Sequence, residues 1–378
     1  MSSAKAPKSS KNIITIPKVD KNLEESGTLT FTLSNTNVSI ANSIRRTILA
    51  DIPTVVINKD IKFKKNTTNL NNEILIQRLK SIPVYLKPDS KLDDIEISLN
   101  LKNDTDSIRY VTTNDFELTI KSSGKKLIQS DKNKIFPFHP ITKQHILFAR
   151  LKPVVSKEIS GEELSLTASF DVATAKEHGG FNVASTCAYG NTPDQILSNE
   201  RWNDFVDEQQ EKGTTEKELD KLEKDWQNHQ KYRYFIDNSF DFTIETIGVF
   251  KNNELVVLAC ENIIKRLQKI IKQCNDNTIP IEKDVIAMKN SFDIELIGED
   301  YTIGKVIEYV LYHKHFENDK ILSFVGFCKF HPHDSSSFIR IAFTNETNAN
   351  KVNICNIVKA SCNDAINLVY KNIITSFK

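Results

Sequence analysis

The sequence predicts an α+β fold in which one strand–helix module occurs twice. Two segments with alternating apolar residues, starting at Leu29 and at Phe292, predict strands. Each is followed by a short amphipathic helix, in residues 37–54 of the first half and 300–311 of the second. Each half then ends in a longer apolar helix. The same order of elements in both halves indicates an internal repeat, which decides how the fold is assigned.

The short helix of the first half is predicted to begin at Ser39 and to end before Pro53. A serine hydroxyl at a helix start accepts a hydrogen bond from the first turn. A residue that precedes proline is pushed out of the α region. Arg46 falls on the polar side of this helix. The apolar stripe consists of Ile40, Ile44, Thr47 and Ile48.

The second short helix aligns with the first without a gap. Thr302 aligns with Ser39, at an offset of 263 residues (302 − 39), and is the predicted cap. Arg45 and Glu308 occupy equivalent positions with opposite charges, so a pseudo-twofold pairing of the two helices is expected to bring them together. The apolar stripe of this copy consists of Ile303, Ile307, Val310 and Leu311.

The composition of the remaining segments predicts the domain organisation. Segment 203–231 is crowded with charged residues and is expected to be either a solvent-exposed helix or a docking surface. A flexible linker between the halves spans roughly 20 to 25 Å, which allows them to pair within one chain. The predicted order is a disordered tail at 1–26, a first module at 27–57 and 232–274, an inserted strand-rich domain at 58–231, a linker at 275–290, and a second module at 291–378.

The composition favours a globular protein whose partners are other proteins. The 378 residues suggest about two to three domains. Fifty basic and 49 acidic residues give a net charge of +1, which argues against extensive binding of nucleic acid. No apolar run reaches the roughly 18 residues of a membrane span, and the basic first residues lack the apolar core of a signal peptide.

The cysteines are expected to be buried thiols rather than metal ligands. None of the six forms a C-x-x-C pair, the spacing typical of a zinc site. Small thiols on apolar helix faces are ordinary core residues, and reduced thiols favour an intracellular compartment. We therefore predict no metal and no cofactor. The cysteines on apolar helix faces are Cys260, Cys274, Cys355 and Cys362.

The sequence carries no recognisable catalytic motif. It lacks a glycine-rich phosphate loop, a G-x-S-x-G elbow and an H-E-x-x-H pair. His331 and His333 flank a proline and are expected to shape a strand connection. Lys176, Glu177 and His178 lack a third member that would complete an acid–base site. No catalytic residue is predicted.

Four motifs, in order, resemble the RNA polymerase α-like subunits, which include the bacterial α subunit and the third-largest subunit of eukaryotic RNA polymerase II. They are SIANSIRRTILADIPT (39–54), NEILIQRLKSIPVYL (72–86), GEELSLTASFDVATAKEHGGFNVAS (161–185) and FDFTIETIG (240–248). The second half is similar to the small eleventh subunit, through DYTIGKVIEYVL (300–311) and VGFCKFHPHDSSSFIRIAFT (325–344). The resemblance implies that both members of an obligate pair are fused in one chain.

This resemblance implies a non-catalytic assembly subunit of a multisubunit DNA-directed RNA polymerase. In the family, paired short helices and closing helices form a dimer core that nucleates assembly of two large catalytic subunits. Arg45 and Arg46 would then face a large subunit, since guanidinium groups bind carboxylates and carbonyl oxygens. A zinc-binding loop found in several eukaryotic members is not expected, because this region has Cys187 alone. The implied dimer interface consists of Ile40, Ile44, Ile48, Ile303, Ile307 and Leu311.

Two other classes of function stay open at this stage. One is an enzyme, a hydrolase or transferase that acts through the inserted domain, and the other is a scaffold unrelated to transcription. The fusion and the composition rich in Asn, Lys and Ile resemble large nucleocytoplasmic DNA viruses. That resemblance implies a single copy per polymerase, little direct DNA contact, no membrane, and a location in the virion and infected-host cytoplasm, with the nucleus as the alternative.

Overall fold

The computed structural model describes residues 14–88, 92–156, 158, 160–284 and 288–378. Its strands are β1 (Lys18–Glu25), β2 (Thr28–Ser34), β3 (Thr54–Asn66), β4 (Ile95–Lys102), β5 (Arg109–Thr112), β6 (Glu117–Ile120), β7 (Lys125–Lys126), β8 (Leu147–Leu151), β9 (Glu163–Ala173), β10 (Ala184–Pro193), β11 (Phe235–Thr246), β12 (Ile281–Asp284), β13 (Ser291–Ile297), β14 (Leu322–Cys328) and β15 (Ser336–Phe343). Its α-helices are α1 (Val38–Ala50), α2 (Asn72–Lys80), α3 (Gln129–Ile135), α4 (Gln195–Glu211), α5 (Glu216–Asn228), α6 (Asn252–Asn275), α7 (Tyr301–Leu311), α8 (Lys351–Asp364) and α9 (Lys371–Phe377).

Two π-helical segments, Tyr312–Asn318 and Ala365–Tyr370, continue α7 and α8. Across the described part of the chain, no helix combines the length and the apolar character that crossing a bilayer requires. The predicted α+β class is confirmed.

The chain divides into two compact units. The described residues of 1–48, 186–245 and 252–378 form unit 1, and those of 49–185 and 246–251 form unit 2. Unit 1 holds both copies of the repeat, and unit 2 holds most of the predicted insertion. Residues 186–231, predicted as part of the insertion, belong instead to unit 1.

Unit 1 repeats one topology. We call β1, β2, α1, β10, β11 and α6 the first module, and β12, β13, α7, β14, β15, α8 and α9 the second module. The sheet order is β1-β2-β11-β10 in the first and β12-β13-β15-β14 in the second, so each strand has a counterpart. The 263-residue offset maps β2 onto β13, and it maps the first residue of α1 onto the first residue of α7.

The central strand pairs of the two sheets match in register as well as in order. β2 pairs with β11, and β13 pairs with β15, both antiparallel and each over seven residue pairs. On one face of each central strand the side chains are buried, as the alternating pattern predicted. The buried residues are Leu29, Phe31 and Leu33 in β2, and Phe292, Ile294 and Leu296 in β13.

Three strands lie where the sequence predicted no part of either module. β1 lies in the predicted tail, β12 in the predicted linker, and β10 in the predicted insertion. β1 and β12 pair with β2 and β13 at sheet edges and consist mostly of charged residues. β10 has few large apolar residues. None of the three shows the apolar alternation of a half-buried strand, which is why the pattern missed them. Residues 1–13 and 285–287 of the predicted tail and linker lie outside the described residues.

Both short helices begin one residue before their predicted caps, and the side chains that cap them lie two residues before the predicted ones. The carboxamide oxygen of Asn37 accepts a hydrogen bond from the backbone N–H of Ser39 (2.9 Å). A carboxylate oxygen of Asp300 accepts one from the N–H of Thr302 (2.9 Å). Asn37 and Asp300 are themselves equivalent at the 263-residue offset. Asn and Asp are preferred at this position because their side-chain oxygens accept a hydrogen bond from the first turn.

The charged segment predicted at 203–231 lies within two helices, α4 and α5, rather than one. Trp226 is buried, and its ring lies 5.5 Å from that of Trp202, 5.7 Å from that of Phe205 and 5.8 Å from that of Tyr234. These aromatic contacts hold the two helices together. The segment thus forms two helices rather than one; apart from this aromatic contact both are largely exposed, as predicted for a solvated helix, and the docking role stays a prediction.

Unit 2 is built on the sheet β3-β9-β4-β6-β7, together with the strand pair β5-β8. The predicted alternation at 95–101 and 116–120 is found in β4 and β6. Phe116 contacts Phe136 and Phe148 edge to face in the core, where α2 and α3 also bury apolar residues. Helix α2 packs beside β3 and β8.

We predict that Gly304→Ala destabilises unit 1. Gly304 lies in α7, and a Cβ added there would overlap the ring of Phe327 from β14. Alanine is the better helix former by about 1 kcal/mol, but overpacking against the half-buried Phe327 ring is expected to cost about 1–3 kcal/mol. We therefore expect a lower free energy of unfolding in urea.

The matched control is Gly190→Ala, because a Cβ at that position meets no atom within 4 Å. The double variant Gly304→Ala, Phe327→Leu is expected to recover part of the loss. A Gly304→Ala protein as stable as the parent would show that the contact between α7 and β14 yields easily.

Candidate functional site, an interface between the two modules

The closing helix of the first module packs on the helices of the second. Helix α6 contacts α7, α8, α9 and the π-helical segment 365–370. Its buried apolar side chains have the helical spacing that the sequence predicted. These residues are Leu255, Val256, Ala259, Cys260, Ile263, Leu267, Ile270 and Cys274.

Two arginines of the first module converge on the start of α7. Arg46 donates from Nε to Thr302 Oγ1 (2.9 Å) and from Nη2 to Asp300 Oδ2 (2.8 Å). Arg266, on α6, donates from Nε to Glu299 Oε2 (2.9 Å), and its Nη2 lies 3.9 Å from Asp300 Oδ1. The Arg266 and Glu299 side chains are 17% and 8% exposed, so this pair is largely shielded from water.

Asp300 is the residue on which this network centres. Burial raises the pKa of Asp300, but hydrogen bonds from Thr302 and the charges of Arg46 and Arg266 outweigh burial and hold the pKa below its usual value. Asp300 therefore has two roles. It caps α7, and its ionised carboxylate joins the two modules.

A buried hydroxyl pair forms a second polar contact across the interface. Ser43 Oγ of α1 lies 2.8 Å from the Tyr370 hydroxyl, and both side chains are buried. Ser43 donates to the carbonyl of Ile40 (2.7 Å), which leaves Tyr370 to donate to Ser43. Burial raises the pKa of Tyr370, so its hydroxyl keeps the proton that it donates.

The end of the second module lies on the sheet of the first. The ring of Phe377 in α9 meets that of Phe31 edge to face, with centroids 4.9 Å apart. Phe31 in turn stacks on Phe242 of β11, also at 4.9 Å. The interface therefore includes the last helix, α9, in addition to α1, α6 and the start of α7.

The four thiols on apolar helix faces are buried, as the sequence predicted. They are Cys260, Cys274, Cys355 and Cys362. Cys274 of α6 shares a hydrogen bond with Cys355 of α8, and burial raises the pKa of Cys274 to about 12. A thiol so difficult to ionise is a poor nucleophile. Within the described residues, no group of three or more His, Cys, Asp and Glu side chains is placed to hold a metal ion.

Comparison with known proteins identifies the family. Residues 30–267, more than half of the chain, match the RNA polymerase Rpb3/Rpb11 dimerisation domain. The chain belongs to this family. The matched region begins in β2 and ends in α6, so it covers the first module from β2 onward together with unit 2.

Similar proteins come from plants, fungi and archaea. Subunit 3B of DNA-directed RNA polymerases IV and V from Arabidopsis thaliana is 25% identical, over 66% of this chain and 88% of its own length. Subunit RPB3 of RNA polymerase II from Schizosaccharomyces pombe is 25% identical, over 70% and 87%. Subunit Rpo3 of the RNA polymerase from Pyrococcus furiosus is 23% identical, over 64% and 91%.

The apolar residues predicted as the dimer interface of this Rpb3/Rpb11-family chain are all buried. Their direct pairing, stripe against stripe, stays a prediction. The contacts between modules are instead made by Arg46, Ser43, Phe31 and the side chains of α6. The six residues are Ile40, Ile44, Ile48, Ile303, Ile307 and Leu311.

The two arginines predicted to face a large subunit have different roles. Arg46 binds Asp300 and Thr302 of the second module, its side chain is 38% exposed, and its contact with a large subunit stays a prediction. Arg45 remains on its own helix, where it donates to Asn42 Oδ1 (2.9 and 3.1 Å). Glu308 binds Lys305 and the Phe327 N–H, so the expected contact between Arg45 and Glu308 does not form.

Several polar residues of the interface were not predicted from the sequence, namely Arg266, Glu299, Asp300, Ser43 and Tyr370. Three of them carried a usable signal, since Ser43, Arg266 and Tyr370 lie within or beside apolar helical stripes. A polar residue at such a position needs a partner when it is buried. Pattern alone does not identify that partner.

We predict that Arg46→Gln lowers the free energy of unfolding by about 1 kcal/mol. The pair is partly exposed, so its contribution falls between that of a surface ion pair and that of a buried one. Arg45→Gln is the matched control and is expected to stay within about 0.5 kcal/mol of the parent. A double-mutant cycle with Asp300→Asn measures the coupling. Additive effects of the two substitutions would contradict the assigned pair.

The lowered pKa of Asp300 predicts a pH-dependent contribution to stability. Because its folded pKa is below the unfolded one, the contribution is fully present above the unfolded value of about 3.9. It is lost as the pH falls through the folded value. Asp300→Asn keeps a capping side chain but removes the charge. The stability difference between parent and variant is therefore expected to be constant from pH 7 to about pH 4.5 and to shrink below about pH 4.

Urea unfolding at a series of pH values checks this prediction. Asp106→Asn, at an exposed loop position, is the control for loss of a carboxylate outside the network. A parent–variant difference that is the same at pH 3 and pH 7 would refute the electrostatic role of Asp300.

Proposed function

We propose that this chain is the assembly platform of a DNA-directed RNA polymerase and that it supplies both members of the platform's dimer in a single chain. The chain is a structural, non-catalytic subunit, as its family and its Rpb3 and Rpo3 relatives indicate. In addition, we assign the role of the small, eleventh-subunit-like partner to the second module.

One observation carries the proposal. The two modules have the same sheet order and the same order of strands and helices, and they are joined by α6, the Arg46–Asp300 pair and the Ser43–Tyr370 pair. A second module that matches the first and packs on it by its closing helices is what a dimer built within one chain requires. A chance fusion of unrelated domains explains neither feature.

The short connection between the modules favours pairing within the chain. Helix α6 ends at Asn275 and β12 begins at Ile281, so five residues join the last helix of the first module to the first strand of the second. A short tether makes association intramolecular, with an effective concentration of about millimolar. One gene product would then form the platform without a separate partner.

The proposed partners are the two large catalytic subunits of the polymerase, with one copy of this chain in each complex and little direct contact with DNA. Arg45 and the partly exposed Arg46 are the candidate contacts to a large subunit. The charge of Arg45 acts on Cys187 and Tyr189 of β10, which places Arg45 beside that strand of the first module. A guanidinium there can bind carboxylates or backbone carbonyls of a partner.

The proposed setting is a virus-encoded polymerase in the virion and the infected-host cytoplasm, with a nuclear polymerase as the alternative. The fused arrangement and the composition rich in Asn, Lys and Ile support it. Fractionation of the source material, followed by immunoblotting of virions, cytoplasm and nuclei, distinguishes the two locations.

The test is affinity purification of the tagged chain from its source, followed by mass spectrometry. Stoichiometric recovery of two very large subunits is the expected result. Ile44→Asp or Ile307→Asp is expected to abolish that recovery, because an unpaired carboxylate in the core costs several kcal/mol. Asn42→Ala, on the same helix as Ile44, is the matched control and is expected to retain it.

A surface variant separates assembly from folding. Arg45→Glu is expected to leave the circular dichroism spectrum and urea midpoint unchanged while it weakens recovery of a large subunit. Recovery of the parent chain alone, without large partners, would refute the proposed function and favour an unrelated scaffold. A nucleotide or metal bound to the isolated chain would favour an enzyme.

A further inference from the structure

We propose that a groove in unit 2 binds an acidic, aliphatic segment of a partner protein. The groove lies between α2 and β8 and has a volume of about 480 Å³. A neighbouring hollow of about 400 Å³ shares Arg78 and Leu147 with it, so the two form one depression along α2. This inference concerns unit 2 alone and does not rest on the pairing of the modules in unit 1.

Positive charge dominates the polar lining of the groove. Arg78, Arg150 and Lys152 line it together with one carboxylate, Glu162. Across the described ranges, none of the three cations forms an ion pair with a carboxylate: Arg78 donates to backbone carbonyls, Arg150 lies over the Tyr110 ring, and Lys152 donates to Asn69. Glu162 is engaged by the N–H of Lys152 (2.8 Å). The groove therefore has a charge excess that a partner's carboxylates would neutralise.

The remaining lining is aliphatic and unusually exposed. Ile108 is 53% exposed beside the groove, and Ile74 and Ile146, which line the adjoining hollow, are 43% and 37% exposed. Leu70 and Leu147 add further apolar surface. Burying such side chains against a partner contributes roughly 25 cal/mol per Å² of apolar area. Alternating carboxylates and aliphatic side chains in a partner would match both features.

Hydrogen bonds hold two of the cations that line the groove in place. Arg78 donates from Nε to the carbonyl of Phe148 (2.6 Å) and from Nη2 to that of Leu147 (3.0 Å). Lys152 Nζ donates to Asn69 Oδ1 (2.9 Å). The Arg78 and Lys152 side chains are therefore already positioned, so they lose less conformational entropy when a ligand binds.

The aliphatic lining favours a protein segment over a nucleic acid. Single-stranded nucleic acids are bound by basic grooves that also offer aromatic faces for base stacking. Tyr110, whose ring lies 5.5 Å from the Arg150 guanidinium, does not itself line the groove. Isoleucine and leucine side chains offer no such face.

The test measures fluorescence anisotropy of three labelled probes with the full chain. The probes are a 12-residue peptide of alternating Asp and Ile, the same peptide with Lys in place of Asp, and a 12-nucleotide oligo(dT). Saturable binding of the acidic peptide alone, weakening as salt is raised, is the expected result. Tighter binding of oligo(dT), or equal binding of both peptides, would overturn the proposal, as would no binding of the acidic peptide.

Charge-reversal variants locate the binding site. Arg150→Glu and Lys152→Glu are expected to raise the Kd for the acidic peptide roughly tenfold each. Ile108→Asp tests the aliphatic wall and is also expected to weaken binding. Lys125→Glu is the matched control, because it makes the same charge change at an exposed position of β7 outside the groove. Equal effects of Lys152→Glu and Lys125→Glu would show a non-specific charge effect and refute the site.

Discussion

The packing of α6 on the helices of the second module is the interaction on which unit 1 depends. Eight apolar side chains of this helix are buried, from Leu255 to Cys274. Each Leu, Ile or Val among them contributes about 1.5–3 kcal/mol when it is fully buried, more than a partly exposed ion pair. The apolar contact therefore supplies most of the free energy that holds the modules together. Because hydrophobic burial is non-directional, however, it does not by itself choose one arrangement of two similar modules.

The polar contacts select one arrangement of the two modules. Arg46, Arg266 and Asp300 meet at the start of α7, and Ser43 meets Tyr370 at a buried point elsewhere in the interface. Each group would be left without its partner in a shifted packing, and an unpaired buried polar group costs about 1–3 kcal/mol. We infer that these contacts specify the alignment of the modules, while they add modestly to stability. The two modules have different residues at these positions, so neither module can take the place of the other in the pairing.

The two compact units of the chain have different structural features. Unit 1 is a repeated α+β module paired with itself, and the family match includes the first copy from β2 onward. Unit 2 interrupts that copy between α1 and β10, and it carries a cationic, aliphatic groove made from its own residues. An insertion between two elements of a stable module can present such a surface, because the core of the module does not depend on it.

The sequence by itself determined the α+β class, the repeat with its 263-residue offset, the buried stripes around Ile44 and Ile307, and the buried thiols. Those features depend on local periodicity, which is a property of residues that lie close together in the sequence. It did not determine β1, β10 and β12, since sheet-edge strands need no apolar alternation. Only the tertiary structure decided that Arg46 turns to Asp300 rather than outward, and that Ser43 meets Tyr370. These partners lie 254 and 327 residues apart, and such long-range pairing is set by how whole elements pack.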